Sequence, residues 1–338
     1  MSSNIIAVLG AGSWGTALAL QLARTDQQVR LWGHNPTHIT QLQTDRCNTR
    51  YLPDAPFPAN LQVQADLAVA CGEADYVLVV VPSSAFGATL LALRPHLRPE
   101  AGFCWATKGL EHGSGRFLHQ LVKMLLTPTA EREQRYAVIS GPSFAREVAA
   151  GLPTALTVAS PAQDYAHQVA HLLHGQGMLT YISNDVIGVE LGGAIKNVLA
   201  IAAGISDGLG FGANARAALI TRGLAELVRL GDMVGGKRET FMGLTGLGDL
   251  MLTCTDNQSR NRRFGLAIGQ GHSLEQAKAA IGQVVEGANA VHEIMRLARY
   301  YKANLPICEQ VELVLHHALP PRQAVENLLS RPPGLEYH

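Results

Sequence analysis

The sequence has few cysteines and no C-x-x-C pair. Its five cysteines are an odd number and widely spaced, so neither a disulfide framework nor a zinc knuckle is indicated. Such a sparse set is typical of a reducing compartment, and we therefore expect a cytoplasmic protein. The five residues are Cys47, Cys71, Cys104, Cys254 and Cys308.

The sequence also has no excess of one charge and no long uninterrupted apolar run. Lys plus Arg and Asp plus Glu both total 27, so nothing in the overall charge favours nucleic acid or an anionic membrane as a partner. The most apolar stretches are residues 76–81, far too short to span a bilayer, and residues 194–205, which Lys196 and Asn197 interrupt. The N-terminal apolar run has no basic segment before it. We expect a soluble protein without a secretory signal or membrane insertion.

The 338 residues are enough for two globular domains. In the first half, short β-branched runs alternate with helical patterns, which predicts a parallel sheet covered by helices. Helical periodicity prevails from Val186 onward, so we predict an α/β domain at 1–184 and an all-α domain at 185–338. The predicted strands are Ile5–Leu9, Gln28–Trp32, Tyr76–Val81, Phe103–Ala106, Ala137–Ser140, Leu156–Ala159 and Leu179–Ile182.

A glycine-rich turn follows the first predicted strand. Gly10, Gly12 and Gly15 form a G-x-G-x-x-G pattern that leads into an apolar helical stretch. In this setting the first glycine permits a tight turn, the second lets backbone approach a pyrophosphate, and the third allows close helix packing. The pattern favours a dinucleotide site over a purely structural turn.

The second predicted strand ends without an acidic residue. A carboxylate about 20 residues beyond the glycines usually binds the ribose 2′-hydroxyl of NAD, but here the strand is followed by Gly33, His34 and Asn35. A 2′-phosphate is therefore permitted, and Arg30 or His34 could bind it unless these are solvated strand-end residues. We expect NADP or NAD as cofactor, with NADPH accepted at least as well as NADH.

A lysine in an apolar, glycine-containing stretch marks a second candidate site. Lys196 and Asn197 follow Gly192 and Gly193 in a helical pattern. Desolvation there disfavours the ammonium form of the lysine, which suits proton transfer. The alternative is an ordinary helix lysine whose ammonium reaches solvent.

Other polar groups stand where ligands commonly bind. Lys108 and Ser143 each follow a predicted strand, and Asp249 lies in a mostly apolar run. The Ser-Arg-Asn-Arg-Arg segment at 259–263 suits a phosphate, unless it is a solvated basic turn. We expect no metal site, because the histidines at 167, 171 and 174 lack a carboxylate to complete a ligand set.

Eight segments match the motifs of one family. They are 10–17 (GAGSWGTA), 106–111 (ATKGLE), 140–145 (SGPSFA), 193–198 (GAIKNV), 246–250 (GLGDL), 252–255 (LTCT), 259–262 (SRNR) and 285–287 (VEG). In this order they resemble the NAD(P)-dependent glycerol-3-phosphate dehydrogenases of bacterial type. The resemblance implies a doubly wound Rossmann-type N-terminal domain, an all-α C-terminal domain with substrate and catalytic residues, and a site in the cleft between them. The implied reaction is hydride transfer at C2 between sn-glycerol 3-phosphate and dihydroxyacetone phosphate, for phospholipid synthesis.

The resemblance also implies roles for individual residues. Lys196 would accept the C2 hydroxyl proton, Lys108 would add positive charge near the developing alkoxide, and Asp249 would orient a lysine or the substrate. Besides Gly10, Gly12 and Gly15, the implied cofactor contacts are Ser13, Trp14, His34, Tyr51, Lys108, Ala145, Arg260, Val284 and Glu286. The implied substrate contacts are Lys108, Gly141, Ser143, Lys196, Asn197, Asp249, Ser259, Arg260 and Asn261. One departure is Ala288-Asn289-Ala290, where the family commonly has a threonine.

Two other functions stay open at the level of sequence. A two-domain dehydrogenase of β-hydroxy acids or sugar acids would need residues that bind a carboxylate, whereas the 259–263 segment favours a phosphate. A dinucleotide-sensing regulator would bind the cofactor without turnover and would not need Lys108, Lys196 and Asp249 together. The sequence does not decide whether the chain acts as a homodimer.

Overall fold

The computed structural model describes residues 3–126 and 135–332. The chain divides into two compact units, which we call the sheet unit and the helical unit. The sheet unit comprises Met1–Thr107 and Leu118–Val186, and the helical unit comprises Lys108–Phe117 and Ile187–His338. The observed division after Val186 is close to the predicted one after residue 184. The segment Lys108–Phe117 differs from the prediction, because it belongs to the helical unit although the sheet unit flanks it in sequence.

The sheet unit contains all the strands found in the described residues. They are β1 (Ile5–Leu9), β2 (Gln28–Trp32), β3 (Cys47–Asn48), β4 (Leu52–Pro56), β5 (Leu61–Gln64), β6 (Tyr76–Val79), β7 (Gly102–Trp105), β8 (Tyr136–Ser140), β9 (Thr154–Ala159) and β10 (Met178–Ser183). Eight of them form one sheet in the order β10-β9-β8-β7-β6-β1-β2-β5, and β3 and β4 form a separate antiparallel pair.

The strand order confirms the predicted fold class. From β5 through β2, β1, β6 and β7 to β8, the strands follow the 3-2-1-4-5-6 order of a dinucleotide-binding sheet, and these neighbours are parallel. The order reverses between β1 and β6, so the ligand crevice of such a sheet lies at the carboxyl ends of these two strands. β6 is central, as its continuous apolar sequence predicts, but it ends at Val79 and leaves out Val80 and Val81.

Two features of the sheet differ from the prediction. β9 is antiparallel to β8, whereas the strand–helix alternation predicts a wholly parallel sheet. Antiparallel neighbours do not need the long crossover helix that parallel strands require. The strands β3, β4 and β5 were not predicted. β3 has only two residues, and prolines at both 53 and 56 argue against a strand in β4. The Leu-Gln-Val-Gln alternation of β5 was a short strand signal that the sequence analysis missed.

Seven helices of the sheet unit fall within the described residues. They are α1 (Ser13–Arg24), α2 (Pro36–Asp45), α3 (Leu67–Cys71), α4 (Ser83–Leu93), α5 (Leu118–Leu126), α6 (Ala145–Ala149) and α7 (Gln163–Leu173), with a 3-10 turn at Arg94–His96. Apolar residues of the strands and helices pack into one core, which includes Val8 of β1 and Leu18 of α1. This core fixes the position of the β1–α1 turn.

The helical unit confirms the predicted all-α architecture. Its helices are α8 (Val186–Gly208), which begins at the unit boundary, α9 (Gly212–Val234), α10 (Arg238–Met242), α11 (Asp249–Thr255), α12 (Arg260–Gly269), α13 (Leu274–Ile281), α14 (Glu286–Tyr301), α15 (Pro306–His316) and α16 (Pro321–Leu329), with a π-helical turn at Leu244–Gly248. α8 is apolar and long enough to cross a membrane, but 94% of its most apolar window is buried inside the protein. It packs as the central helix of this unit's core.

Candidate active site

The glycine-rich turn lies at the carboxyl end of β1, beside the chain that follows β6. A Cβ atom at Gly10 would lie 2.4 Å from the carbonyl oxygen of Val80. A Cβ atom at Gly15 would lie 1.9 Å from the carbonyl oxygen of Gly10, so neither position has room for a side chain. A Cβ at Gly12 would meet no described atom within 4 Å, so packing does not explain this glycine. Gly12 is the N-cap of α1, whose first turn is free of acidic side chains. Open space at a helix N-terminus suits a pyrophosphate, so the turn fits a dinucleotide.

The buried side chain of Asn48 braces this turn. Its Nδ2 donates to the carbonyl oxygen of Ala11 at 3.1 Å and to Oγ1 of Thr16 at 2.8 Å. Its Oδ1 lies 3.3 Å from Nε2 of His38 in α2. The sequence analysis missed Asn48, because the short strand β3 that carries it leaves no periodic signal.

The two residues predicted to bind a 2′-phosphate, Arg30 and His34, differ in ion pairing and in exposure to solvent. Arg30 on β2 pairs with Glu73 at 2.6 Å, whereas His34 after the strand is exposed. Tyr51, a predicted cofactor contact, is half-buried, and the guanidinium of Arg50 lies 5.2 Å from the centroid of its ring. Of the two residues predicted to bind a 2′-phosphate, His34 is therefore the exposed one, whereas Arg30 is held by an ion pair.

Lys108, Lys196 and Asp249 meet within the helical unit. Asp249 Oδ2 accepts a hydrogen bond from Lys108 Nζ at 2.7 Å, and Oδ1 accepts one from Lys196 Nζ at 2.5 Å. The exposed fractions of the side chains are 1% for Asp249, 9% for Lys196 and 11% for Lys108. One carboxylate thus binds two ammonium groups almost entirely out of contact with solvent.

A close approach of two backbones places Asp249 opposite Lys196. A Cβ at Gly192 of α8 would lie 2.3 Å from the carbonyl oxygen of Thr245, so this glycine lets α8 pack directly on the π-helical turn before α11. Asp249 is the first residue of α11, where the positive end of the helix dipole favours a carboxylate. The glycine noted in the sequence therefore serves the approach of another backbone segment.

Thr253 completes the hydrogen bonding of Lys196. Its Oγ1 accepts from Lys196 Nζ at 3.1 Å and donates to the backbone carbonyl oxygen of Asp249 at 2.6 Å. The sequence analysis gave Thr253 no role, although its spacing of four residues from Asp249 on a helix was the available signal. Two acceptors therefore fix the position of Nζ.

The electrostatics of this cluster bring the pKa of Lys196 close to neutral pH, which favours proton exchange at this residue. Burial lowers the pKa of Lys196 to about 8, with Asp249 opposing this change and Lys108 adding to it. For Asp249, burial acts to raise the pKa, but the two lysines outweigh it and the pKa lies below its ordinary value. Two ammonium groups and one carboxylate carry one excess positive charge, which is removed when Lys196 loses its proton. The cluster can therefore hold or release one proton near neutral pH.

Three predicted ligand residues join helices beside Lys196. Asn261 Nδ2 donates to Asn197 Oδ1 at 2.9 Å, and Asn261 Oδ1 accepts from the backbone N–H of Gly287 at 2.9 Å. Asn197 Nδ2 lies 3.4 Å from Oε2 of Glu286. These contacts tie α8, α12 and the start of α14 together. Substrate and cofactor contacts by Asn197, Asn261 and Glu286 stay predictions.

The remaining predicted residues of the helical unit lie at the start of α12 and before α14. Ser259 is the N-cap of α12, and its Oγ accepts from the backbone N–H of Arg262 at 3.2 Å. Arg260 is half-buried and donates to Oε1 of Gln283 at 3.2 Å. Val284, beside Gln283, is 47% exposed. Arg260 and Val284 thus belong to neighbouring segments of this unit.

The other predicted residues belong to the sheet unit. Gly141 and Ser143 follow β8, with Ser143 Oγ donating to the carbonyl oxygen of Gly141 at 3.1 Å, and Ala145 begins α6. Ser13 and Trp14 form the first turn of α1. Their positions at the carboxyl ends of β8 and β1 are those at which such sheets bind ligands.

The fold and the buried lysine together define a class of protein. A dinucleotide-type sheet with open space at its glycine turn, and a lysine that can exchange a proton, are features of a nucleotide-dependent oxidoreductase. The family model for the N-terminus of NAD-dependent glycerol-3-phosphate dehydrogenase matches residues 5–166, and the model for its C-terminus matches residues 185–326. The chain therefore belongs to the NAD-dependent glycerol-3-phosphate dehydrogenase family.

Several glycerol-3-phosphate dehydrogenases are similar to this chain over nearly its full length. The chain is 58% identical over 333 residues to an NAD(P)+ glycerol-3-phosphate dehydrogenase of Thioalkalivibrio sulfidiphilus, covering 98% of each chain. It is 55% identical over 327 residues to that of Aeromonas salmonicida, covering 96% of this chain and 97% of the relative. The crystal structure of glycerol-3-phosphate dehydrogenase from Coxiella burnetii has a TM-score of 0.93 and 50% identity, covering 97% of this chain and 99% of that one.

Proposed function

We propose that Lys196, Asp249 and Lys108 form the acid–base centre with which this chain interconverts sn-glycerol 3-phosphate and dihydroxyacetone phosphate. Membership of the family supports the reaction and its dependence on NAD(P). The observation that carries the residue assignment is the sharing of one buried carboxylate, Asp249, by two lysines. The nicotinamide, when bound, supplies or accepts the hydride at C2. The chain's own residues have to move one proton and bind a phosphate.

Lys196 is the group that exchanges this proton. In oxidation, the C2 hydroxyl loses a proton as hydride leaves, and the neutral amine of Lys196 accepts it. In reduction, the ammonium of Lys196 donates a proton to the former carbonyl oxygen. A pKa of about 8 keeps both forms populated near neutral pH. Asp249 and Thr253 hold Nζ in place, and Lys108 adds positive charge that stabilises the developing alkoxide.

The dinucleotide would bind at the glycine turn of the sheet unit. Gly12 leaves room for the pyrophosphate at the N-terminus of α1, and Asn48 holds the turn through Ala11 and Thr16. These residues orient the cofactor and take no part in proton transfer. Pyrophosphate binding is thus assigned to the sheet unit and proton transfer to the helical unit.

NADPH is expected to support dihydroxyacetone phosphate reduction at least as well as NADH does. Residues 33–35 contain no carboxylate that would repel a 2′-phosphate, and His34 among them is exposed. Initial rates at increasing concentrations of each cofactor, followed by nicotinamide absorbance, give the two values of kcat/KM. A strong preference for NADH would contradict this prediction. Absence of any substrate-dependent absorbance change with either cofactor would contradict the proposed reaction itself.

Replacing Arg260 with alanine is expected to weaken recognition of the substrate phosphate. The half-buried guanidinium of Arg260 would pair with the phosphate dianion of the substrate. Its loss should lower kcat/KM for dihydroxyacetone phosphate roughly 30- to 1,000-fold, which corresponds to about 2 to 4 kcal/mol of transition-state stabilisation. Arg260→Lys should recover only part of this loss, because an ammonium lacks the planar donor fork. Steady-state kinetics of the parent and both variants measure the effect.

Unphosphorylated dihydroxyacetone is the control for Arg260. It is expected to be a poor substrate of the parent enzyme, and it should lose much less activity when Arg260 is replaced, since it has no phosphate to bind. Equal losses with both substrates would mean that Arg260 acts through the fold or the cofactor. The phosphate assignment would then be abandoned.

We also infer a cytoplasmic role in supplying glycerol 3-phosphate for phospholipid synthesis. Five free cysteines, all buried, support a reducing compartment. The burial of α8 within the protein supports a core helix over a membrane span. Fractionation of cells that produce the chain at native level would test the location, and recovery in the membrane fraction would contradict it.

A further inference from the structure

The loop that carries Lys108 is bound to α14 at its tip. This segment, Lys108–Phe117, which we call the Lys108 loop, belongs to the helical unit. The backbone N–H of Gly113 donates to Oε1 of Glu293 at 2.8 Å, and the carbonyl oxygen of Gly113 accepts from Nη1 of Arg296. Two side chains of α14, three residues apart, thus bind both polar backbone groups of one loop residue.

One oxygen of the Glu293 carboxylate, Oε1, contacts two residues of this loop. Glu293 is 2% exposed, and Nδ1 of His112, beside Gly113, lies 3.4 Å from its Oε1. Nε of Arg296 lies 3.6 Å from Oε2. A carboxylate that accepts a hydrogen bond from a backbone N–H helps to fix the position of that backbone, because a hydrogen bond to a charged acceptor is stronger than one between neutral groups.

Backbone hydrogen bonds close the tip of the Lys108 loop between residues 111 and 116. The backbone N–H of Glu111 donates to the carbonyl oxygen of Arg116 at 2.9 Å. The backbone N–H of Gly115 donates to the carbonyl oxygen of Glu111 at 3.0 Å. Leu110 and Phe117 are buried in the core of the helical unit. A loop anchored by apolar residues near both ends still needs a contact at its tip to fix one orientation.

We propose that Glu293 and Arg296 are positioning residues that, through Gly113, keep the ammonium of Lys108 on Asp249. The proposal rests on the role of Lys108 in the proposed function. Neither residue is among those assigned to substrate, cofactor or proton transfer, so both act through the loop backbone. The catalytic position of Lys108 is thereby set by α14, a helix far from it in sequence.

Displacement of Lys108 would change the pKa of Lys196, which a general loss of protein stability would not do. The charged groups that face Lys196 are Asp249 from α11 and Lys108 from the loop, and the charge on Lys108 contributes to the lowered pKa of Lys196. When Lys108 moves away, the pKa of Lys196 rises. Oxidation of glycerol 3-phosphate, which requires the neutral amine, then reaches its full rate only at higher pH. His112 and Arg296 are the groups that face Glu293 itself.

The helical unit contains a matched control pair that does not contact the Lys108 loop. Glu312 of α15 is also 2% exposed, pairs with Arg299 of α14, and lies 3.4 Å from Nδ1 of a histidine, His292. Glu312→Gln and Arg299→Gln therefore remove a similarly buried carboxylate and its arginine partner, but no contact with the backbone of the Lys108 loop. Arg296 is 45% exposed at its side chain, so Arg296→Gln carries little risk to folding.

The test compares these four variants in glycerol 3-phosphate oxidation. Glu293→Gln and Arg296→Gln are expected to lower kcat by about 5- to 50-fold, below the roughly 100-fold that a 1 Å misplacement can cost. The pH range over which their oxidation rate increases should lie at higher pH than in the parent. Their KM for the dinucleotide should be unchanged. Glu312→Gln and Arg299→Gln should stay within about twofold of the parent and keep its pH profile. Equal losses in all four variants, or an unmoved pH profile in the first two, would overturn the proposal.

Lys108→Met separates failure of this proposal from failure of the proposed function. If Lys108→Met is impaired and adding Glu293→Gln causes no further loss, the two residues act through one step, as proposed. If the loss in the double variant equals the product of the two single-variant losses, Glu293 acts independently of Lys108. The positioning proposal then fails, while the proposed function still stands. A fully active Lys108→Met would overturn the role of Lys108 and the positioning proposal together.

Discussion

Lys196→Met is expected to lower turnover by roughly 100- to 10,000-fold or more, in both directions, the usual scale for loss of a general acid–base group. Methionine retains much of the apolar stem that packs within α8 but has no amine to accept or return the C2 proton. Asp249 keeps its contact with Lys108 at 2.7 Å, so the variant does not leave a buried carboxylate without a cation. Folding and dinucleotide binding should therefore persist.

Single-turnover kinetics, thermal unfolding and dinucleotide titration measure these three properties of Lys196→Met. Lys278→Met is the matched control, because Lys278 is an exposed helix lysine of the same unit, on α13. The control should retain parental turnover. Near-parental turnover in Lys196→Met itself would show that another group carries the proton.

Asp249→Asn is expected to lower turnover by roughly 100-fold or more and also to destabilise the protein. The amide keeps the shape of the side chain but not its charge, so two mostly buried ammonium groups face each other without a carboxylate. Removing one partner of a buried ion pair typically costs about 3 to 5 kcal/mol. Part of this cost is relieved when Lys196 loses its proton. Denaturant unfolding and steady-state kinetics measure the two effects.

The same variant predicts a change of pH dependence with a defined sign. The carboxylate of Asp249 acts to raise the pKa of Lys196, so its loss should bring that pKa below about 8. Reduction requires the ammonium form and should lose activity at a lower pH in the variant than in the parent. Asp256→Asn, at the C-terminal end of α11, is the control and should leave the profile unchanged. A profile moved to higher pH in Asp249→Asn would contradict the electrostatic account.

Much of the fold could be predicted because its signals are local in sequence. The strand before Gly10, the glycine spacing and the apolar helix after it lie within a few residues of one another, and they predict the β1–α1 turn. The long helical half likewise follows from periodicity. The direction of β9, the pairing of β3 with β4 and the membership of the Lys108 loop depend on contacts between distant segments, so local patterns do not reveal them.

The sequence singled out the three residues of the proposed acid–base centre, but it predicted their contacts only in part. Lys196, Lys108 and Asp249 stood out as polar groups in apolar or strand-end settings, and the family resemblance joined them. Their contacts span 141 residues between Lys108 and Asp249, and 53 between Lys196 and Asp249, distances over which sequence periodicity carries no information. Asn48 and the tip contacts of Glu293 were missed for the same reason. A buried polar side chain acquires its role from the neighbours that the fold supplies.

The most direct test of the acid–base centre is the pH dependence of single-turnover hydride transfer in both directions with the parent enzyme. The proposed mechanism requires Lys196 as a neutral amine for oxidation and as an ammonium for reduction, and burial lowers its pKa to about 8. The account predicts mirror-image profiles, with oxidation rising and reduction falling as pH increases through this region. In Lys196→Met, the residual rates should lose both dependences. Profiles that rise together, fall together or persist unchanged in Lys196→Met would contradict the assignment of Lys196 as the proton carrier.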